Sequence, residues 1–251
     1  MTGWPAGVQR RLLDQTDSTN AEAARLAAAG QTEPVWIMAR RQRAARGRQG
    51  RAWAMPPGNL AATLLDFPGH GVSAAGLRSF TASLAVADLL GRLAPGAGIG
   101  LKWPNDVLLN GGKVSGILLE SASSGGSLAW LATGIGVNLA AAPDPGAIAP
   151  GTAPPTSVVA EGGRLCPSEE ALTLLAAALA HWESRLHDEG FAPVRAAWLA
   201  RAARLGEPIV ARLPDREVRG TFEDVDDAGA LVLRTPTGCE RIAAADVFFP
   251  E

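Results

Sequence analysis

Two stretches of this chain hold the residue types needed to handle a phosphorylated or otherwise anionic group. Between Arg40 and Arg51 stand six arginines and no acidic residue, interleaved with small residues in Gln42-Arg43-Ala44-Ala45-Arg46-Gly47-Arg48-Gln49-Gly50-Arg51. Arginine supplies a permanently charged fork of donors, and glycine lets backbone amides approach an oxyanion closely, so such a loop can wrap a phosphate. The same composition also suits a solvated loop or a nonspecific RNA contact, and the loop alone does not choose among these. The second stretch is Lys102-Trp103-Pro104-Asn105-Asp106, followed by Gly111-Gly112-Lys113-Val114-Ser115-Gly116-Ile117. A lysine on a hairpin strand opposite a Pro-Asn-Asp turn suits an anionic transition state, because the ammonium offsets developing charge. Asn105 and Asp106 oxygens can hold Mg²⁺ beside phosphates. Asn and Asp also build ordinary turns, a reading that weighs more on Asp106 than on Lys113. Lys113 follows two glycines in an apolar run and needs a polar partner if it is buried.

These residues need elements to position them. Gln9–Leu13 reads as a strand, then Asp17-Ser18-Thr19-Asn20 as a capped entry to a helix over Ala21–Ala29 that Gly30 closes. Val35–Ala39 is a buried strand, and Arg40–Gly58 is a long loop of the kind that usually serves function. Asn59–Leu65 is strand-like, and Leu77–Leu93 has helical spacing. Ile99–Trp103, Val107–Leu109 and Val114–Glu120 form strands joined by the Pro-Asn-Asp and Asn110-Gly111 turns, the latter a hairpin signal. Leu128–Leu139 adds a strand, and Pro143–Pro155 reads as a linker. Ser168–His187, capped by Ser168, and Phe191–Arg204 read as helices. From Gly206 the pattern changes to short strands at Pro208–Leu213, Glu217–Val225, Ala230–Arg234 and Glu240–Ile242, the signature of a small β-barrel. The expectation is an α+β chain: a mixed central sheet flanked by helices over residues 1–205, then a barrel over 206–251.

Composition narrows the functional class. The 23 basic and 25 acidic residues leave a net charge near −2, so no whole-molecule field draws the chain to nucleic acid or anionic membrane. Tyrosine is absent and aromatic and basic residues do not interleave, which argues against an RNA platform built on the arginine loop. Cys166 and Cys239 belong to no C-x-x-C pair, and His70, His181 and His187 are scattered, so neither a disulfide framework nor a zinc site is expected. The N-terminus lacks a secretory core, and the apolar run Ser127–Ala142 is broken by Gly134, Gly136 and Asn138. A cytoplasmic protein without membrane contact is the expectation.

Five segments, in order, resemble the motif series of biotin protein ligases. They are Asp17-Ser18-Thr19-Asn20, Arg46-Gly47-Arg48-Gln49-Gly50-Arg51, Lys102-Trp103-Pro104-Asn105-Asp106, Gly112-Lys113-Val114-Ser115-Gly116-Ile117 and Gly134-Ile135-Gly136-Val137-Asn138. The resemblance covers nearly the whole chain. It implies a class II synthetase-like catalytic domain with a C-terminal SH3-like barrel. It also implies an ATP-dependent enzyme that makes biotinyl-5′-AMP and transfers biotin to a lysine of a biotin carboxyl carrier protein domain. ATP, Mg²⁺ and biotin are then its small-molecule partners, with no permanently bound group. By the same resemblance Ser18, Thr19, Asn20, Gln42 and Gly116 match biotin-binding positions. Arg46, Gly47 and Arg48 match the adenylate loop, and Lys113 the lysine where biotin carboxyl and phosphate join. Arg46, Arg48 and Lys113 are the expected catalytic residues. Arg51, Trp53 and Asn138 fall among the nucleotide positions, and Trp53 suits a core role as well. The family loop carries glycine where Ala45 stands, and a positive φ there would cost alanine roughly 1 kcal/mol. Only 16 residues precede Asp17, so a winged helix and sequence-specific DNA binding are not expected. A monomer or weak homodimer is implied. A lipoate or octanoate ligase of the same fold is the alternative enzyme.

Overall fold

A computed structural model describes residues 3–68, 72–124, 127–144 and 153–250. Seven strands form the larger sheet: β1 (Gln9–Thr16), β2 (Val35–Gln42), β3 (Leu60–Asp66), β4 (Ile99–Lys102), β5 (Asp106–Leu109), β6 (Gly112–Ser124) and β7 (Ser127–Val137). Their order is β1-β2-β3-β7-β6-β5-β4, with β1 and β2 parallel and every other pair antiparallel. A parallel pair needs a crossover, and helix α1 (Thr19–Ala28) supplies it. The apolar runs of β2 and β3 follow from burial on both faces. Val35, Ile37 and Leu65 point with Ala132 toward Ala23 of α1. Trp36, Met38, Leu60 and Ala62 point the other way, into the main core with Leu84 and Leu90 of α2 (Arg78–Leu93) and Leu172 and Leu175 of α3 (Ser168–Glu189).

Helix α4 (Phe191–Leu199) leads to β8 (Pro208–Arg212), β9 (Glu217–Val225), β10 (Leu231–Thr235), β11 (Gly238–Ile242) and β12 (Asp246–Phe248). These form an antiparallel sheet in the order β11-β10-β9-β8-β12. This sheet is what the expected C-terminal barrel amounts to in the observed pairing.

Several expectations change at element ends. The helix expected over Phe191–Arg204 stops at Leu199, because the chain beyond it pairs with β4: Leu101 N–H donates to Arg201 O and Ala203 N–H to Leu101 O, both at 2.8 Å. Pro167, not Ser168, occupies the N-cap of α3. β2 runs to Gln42, which shortens the expected loop at its start, and β12 lies where no strand is expected. At Asn110-Gly111 both residues take left-handed backbone (φ 48° and 85°), as a tight hairpin between twisted strands requires. The Pro143–Pro155 linker lies mostly outside the described residues, as does His70. Among the described residues no helix is long and apolar enough to cross a membrane.

Trp198 couples the two halves. Its ring meets Phe80 of α2 edge-on at 5.2 Å and Phe222 of β9 at 6.4 Å, while its indole N–H donates to Ser83 Oγ at 3.0 Å. Trp198→Ala is expected to cost about 3–5 kcal/mol. In denaturant it should shift one shared unfolding transition, whereas loss of a separate C-terminal transition would show that the halves unfold independently.

Candidate active site

Helix α1 packs on one face of the large sheet, against β2, β3 and β7. On this face Ala61, Gly116, Gly134 and Gly136 present almost no side chain, and the cross-strand register sets Gly116 beside Gly136 and Gly134 beside Thr63. The space above this floor is a cavity of about 360 Å³. Every residue singled out from sequence lines it: Ser18, Thr19, Asn20, Gln42, Arg46, Gly47, Arg48, Arg51, Trp53, Asn105, Asp106, Lys113, Gly116 and Asn138.

One end is a hydrogen-bonding niche at the start of α1. Ser18 is the N-cap residue, but its side chain makes no capping bond. The cap comes instead from β2, where Gln42 Oε1 accepts from Thr19 N–H at 2.8 Å and from the Thr19 hydroxyl at 3.2 Å. Sequence reasoning missed this because the two residues are 23 positions apart. The Thr63 hydroxyl donates to Asn20 Oδ1 at 2.7 Å, and Asn20 Nδ2 donates to Glu120 Oε2 at 2.7 Å. Ser18 Oγ, buried and in the cavity wall, makes no hydrogen bond among the described residues.

Trp53 lies over the glycine floor. A Cβ on Gly136 would come within 2.7 Å of its indole, and one on Gly116 within 3.0 Å. Flat apolar area is thus gained where the sheet has no side chains. The other end is cationic. Lys113 Nζ pairs with Asp106 Oδ1 at 2.6 Å and stands 5.6 Å from the Trp53 ring centroid. Arg46 faces Glu120 at 3.5 Å, and Arg51 pairs with Asp246 at 2.9 Å. Arg48 donates to Ala245 O at 3.2 Å and is 3.9 Å from the same Asp246 carboxylate. Burial pulls the Arg48 guanidinium below its usual pKa range, but an arginine stays charged. The lining therefore holds five cations, Arg46, Arg48, Arg51, Lys102 and Lys113, against Asp106 and Asp246. That excess calls for a multiply charged anion.

The alanine in the family's glycine place carries no strain, since Ala45 lies outside the positive-φ residues; Gln49 holds left-handed backbone instead (φ 56°, ψ 27°). Ala45 O accepts the Trp53 amide at 3.0 Å, so the small residue helps to seat the tryptophan. Asn138 and Asn105 line the cavity with side chains already engaged. Asn138 Nδ2 donates to Thr156 O at 3.0 Å and its Oδ1 accepts from Asn59 at 3.3 Å, while Asn105 Nδ2 donates to Ile117 O at 2.7 Å. Asp106 has its short contact with Lys113, and among the described residues no cluster of three or more His, Cys, Asp or Glu could cage a metal. Asn105 and Asp106 therefore do not by themselves compose a resident magnesium site.

The arrangement suits an elongated ligand with a compact polar head in the Ser18–Gln42 niche and an anionic end among the cations. Lys102, in the second of the two stretches read from sequence, also lines this cavity; Asp246 lines it too, and Thr63 and Glu120 brace Asn20 in its wall, three residues that sequence reasoning had not placed there. For Asp246 no local signal existed, because it arrives from β12, 195 residues after its partner Arg51.

Residues 12–138 match the Biotin/lipoate A/B protein ligase family, and residues 205–249 match the Biotin protein ligase C terminal domain. The chain is 56% identical over 239 residues to a biotin--[acetyl-CoA-carboxylase] ligase of Paracoccus denitrificans, covering 95% of this chain and 99% of that protein. It is 34% identical over 262 residues to the enzyme so named from Mycobacterium tuberculosis, covering 98% and 90%. The fold is that of a biotin protein ligase from Aquifex aeolicus solved in complex with biotin and ATP, with a TM-score of 0.79, 23% identity and coverage of 95% and 98%.

Proposed function

The chain belongs to the biotin protein ligase family, and on that premise we propose that it activates biotin with ATP and transfers it to a lysine of a carboxyl carrier protein. The observation that carries this reading is a single cavity holding both a hydrogen-bonding niche and a cationic end, joined by a glycine and tryptophan floor. A buried urea needs both donors and acceptors, and an unmatched group costs about 1–3 kcal/mol. Ser18, Thr19, Asn20 and Gln42 supply those partners to the ureido ring, and Gly116, with the Trp53 ring over it, borders the rest of biotin. Lys113, Arg46 and Arg48 face its carboxylate and the α-phosphate, with Gly47 letting the loop close in. Arg51, Trp53 and Asn138 border the nucleotide.

In the first half-reaction a carboxylate oxygen of biotin bonds to the α-phosphorus, and pyrophosphate leaves with the electron pair of the broken P–O bond. In the second, the carrier lysine amine attacks the biotinyl carbonyl and AMP leaves. Neither step needs a protein nucleophile, so orientation and charge placement do the catalytic work. Magnesium would serve as the counter-ion of the nucleotide phosphates, and Asn105 and Asp106 would be the residues to offer it oxygens beside them. The unpaired Cys166 and Cys239 fit a cytoplasmic location. A boundary near 205/206 is supported by the second family match, which starts at residue 205.

Incubation with ATP, Mg²⁺, biotin and an apo carrier domain should add one biotin to one carrier lysine, read by intact mass. Acylation by lipoate or octanoate in place of biotin would favour the alternative ligase. Arg43–Arg51 is expected to close over the ligands, so trypsin cleavage in that loop should slow with biotin and ATP together. Equal cleavage with and without them would contradict closure.

A further inference from the structure

The Gln42 amide, at the end of β2, is tied at both of its ends. Its Oε1 accepts from the Thr19 amide at 2.8 Å and from the Thr19 hydroxyl at 3.2 Å, so the oxygen is committed to capping α1. Its Nε2 donates to the Met55 thioether, 3.7 Å away. A side-chain amide has two N–H donors and a thioether is a weak acceptor, so the second N–H is left for a ligand in the cavity that Gln42 lines. Met55 does not line that cavity. It is half-buried, just before the Pro57-Gly58 turn into β3. The chain has three methionines. Met38 is fully buried in the core and Met1 lies outside the described residues, so Met55 is the described methionine with surface open to an oxidant.

We propose that Met55 is an oxidation-sensitive positioning residue: a peroxide converts its thioether to the sulfoxide, and the displaced Gln42 amide then holds biotin poorly. The proposal rests on the biotin reading of the Ser18–Gln42 niche. A sulfur lone pair attacks one peroxide oxygen, the O–O bond breaks, and the departing hydroxide takes up the proton of the transferred oxygen and leaves as water. Sulfur is oxidised by two electrons and the peroxide is reduced by two. The 3.7 Å gap is too short to seat an oxygen between sulfur and nitrogen at hydrogen-bond length. The sulfoxide therefore pushes the amide back, or turns and draws its N–H aside. Either motion takes Oε1 off Thr19 as well, because both atoms belong to one planar amide. The niche loses a donor to the ligand and the cap of α1 together.

Hydrogen peroxide applied to the whole wild-type protein tests this, with oxygen uptake at Met55 read by peptide mass spectrometry. Protein carrying the sulfoxide is expected to show a KM for biotin about 10-fold higher in pyrophosphate exchange, with kcat at saturating biotin within about twofold. Methionine sulfoxide reductase should restore the original KM. Met55→Leu removes both the acceptor and the oxidisable sulfur, so its KM for biotin should rise about threefold and then not respond to peroxide. That variant also separates Met55 from the exposed Cys239 thiol, which peroxide attacks too. Unchanged biotin KM in the sulfoxide form, or an equal response to peroxide in Met55→Leu, would overturn the proposal. A fall in kcat as large as the rise in KM would show a purely structural role and overturn it as well. If Met55→Leu does not fold, the repair arm decides: a KM that the reductase does not restore counts against Met55. Unoxidised wild-type protein without biotin-dependent exchange would instead sink the ligase reading itself.

Discussion

Lys113→Ala is expected to lower biotin-dependent pyrophosphate release about 100- to 1000-fold, the largest loss among single substitutions in the cavity. The half-buried ammonium is held by Asp106 at 2.6 Å and stands 5.6 Å from the Trp53 ring centroid, where screening is weaker than in bulk water. Removing it does two things. It withdraws a positive charge from the point where carboxylate and α-phosphate must meet, and it leaves the Asp106 carboxylate facing that same point unpaired. The second effect is separable. Lys113→Ala combined with Asp106→Asn should recover part of the lost rate, because the stranded negative charge is gone. A double variant as slow as or slower than Lys113→Ala would mean that Asp106 contributes something beyond holding the lysine.

Gly134→Ala is expected to weaken biotin binding about 10- to 100-fold and to cost about 1–3 kcal/mol of folding stability. The added Cβ would lie 2.2 Å from Asn20 Oδ1, with the amide carbon 2.9 Å away, so Asn20 has to leave its place. Asn20 is not an isolated contact. It takes the Thr63 hydroxyl and grips one oxygen of Glu120, whose other oxygen faces Arg46. One methyl group therefore disturbs the ureido niche and, through Glu120, the arginine loop. Calorimetry should show biotin affinity falling more than nucleotide affinity. Unchanged biotin affinity would show that Asn20 does not serve biotin.

The parts of the site that were legible in the sequence are those whose residues sit close together along the chain. The arginine loop, the Asn-Gly hairpin that carries Lys113, and the Gly134–Gly136 spacing each announce a local backbone demand. Their gathering into one cavity follows from the family motif order, and the sheet register places the glycines on one face. Long-range contacts were not legible. Gln42 caps α1 from another strand, Trp53 lies on glycines that follow it by 63 and 83 positions, and Asp246 reaches Arg51 from the last strand. The early end of α4 belongs to the same class, since nothing in Ala200–Arg204 forbids a helix and only β4 draws the chain away. At Ala45 the sequence set only a condition, a cost if the backbone there were left-handed, and the turn places its left-handed non-glycine residue at Gln49 instead.

The central claim is that this cavity joins biotin to the α-phosphate of ATP. Isotope exchange between pyrophosphate and ATP tests it without any carrier protein. Exchange should require biotin, should not be supported by lipoate or octanoate, and should collapse in Lys113→Ala and Arg46→Ala. Exchange that proceeds without biotin, that prefers lipoate, or that survives both substitutions would contradict the account.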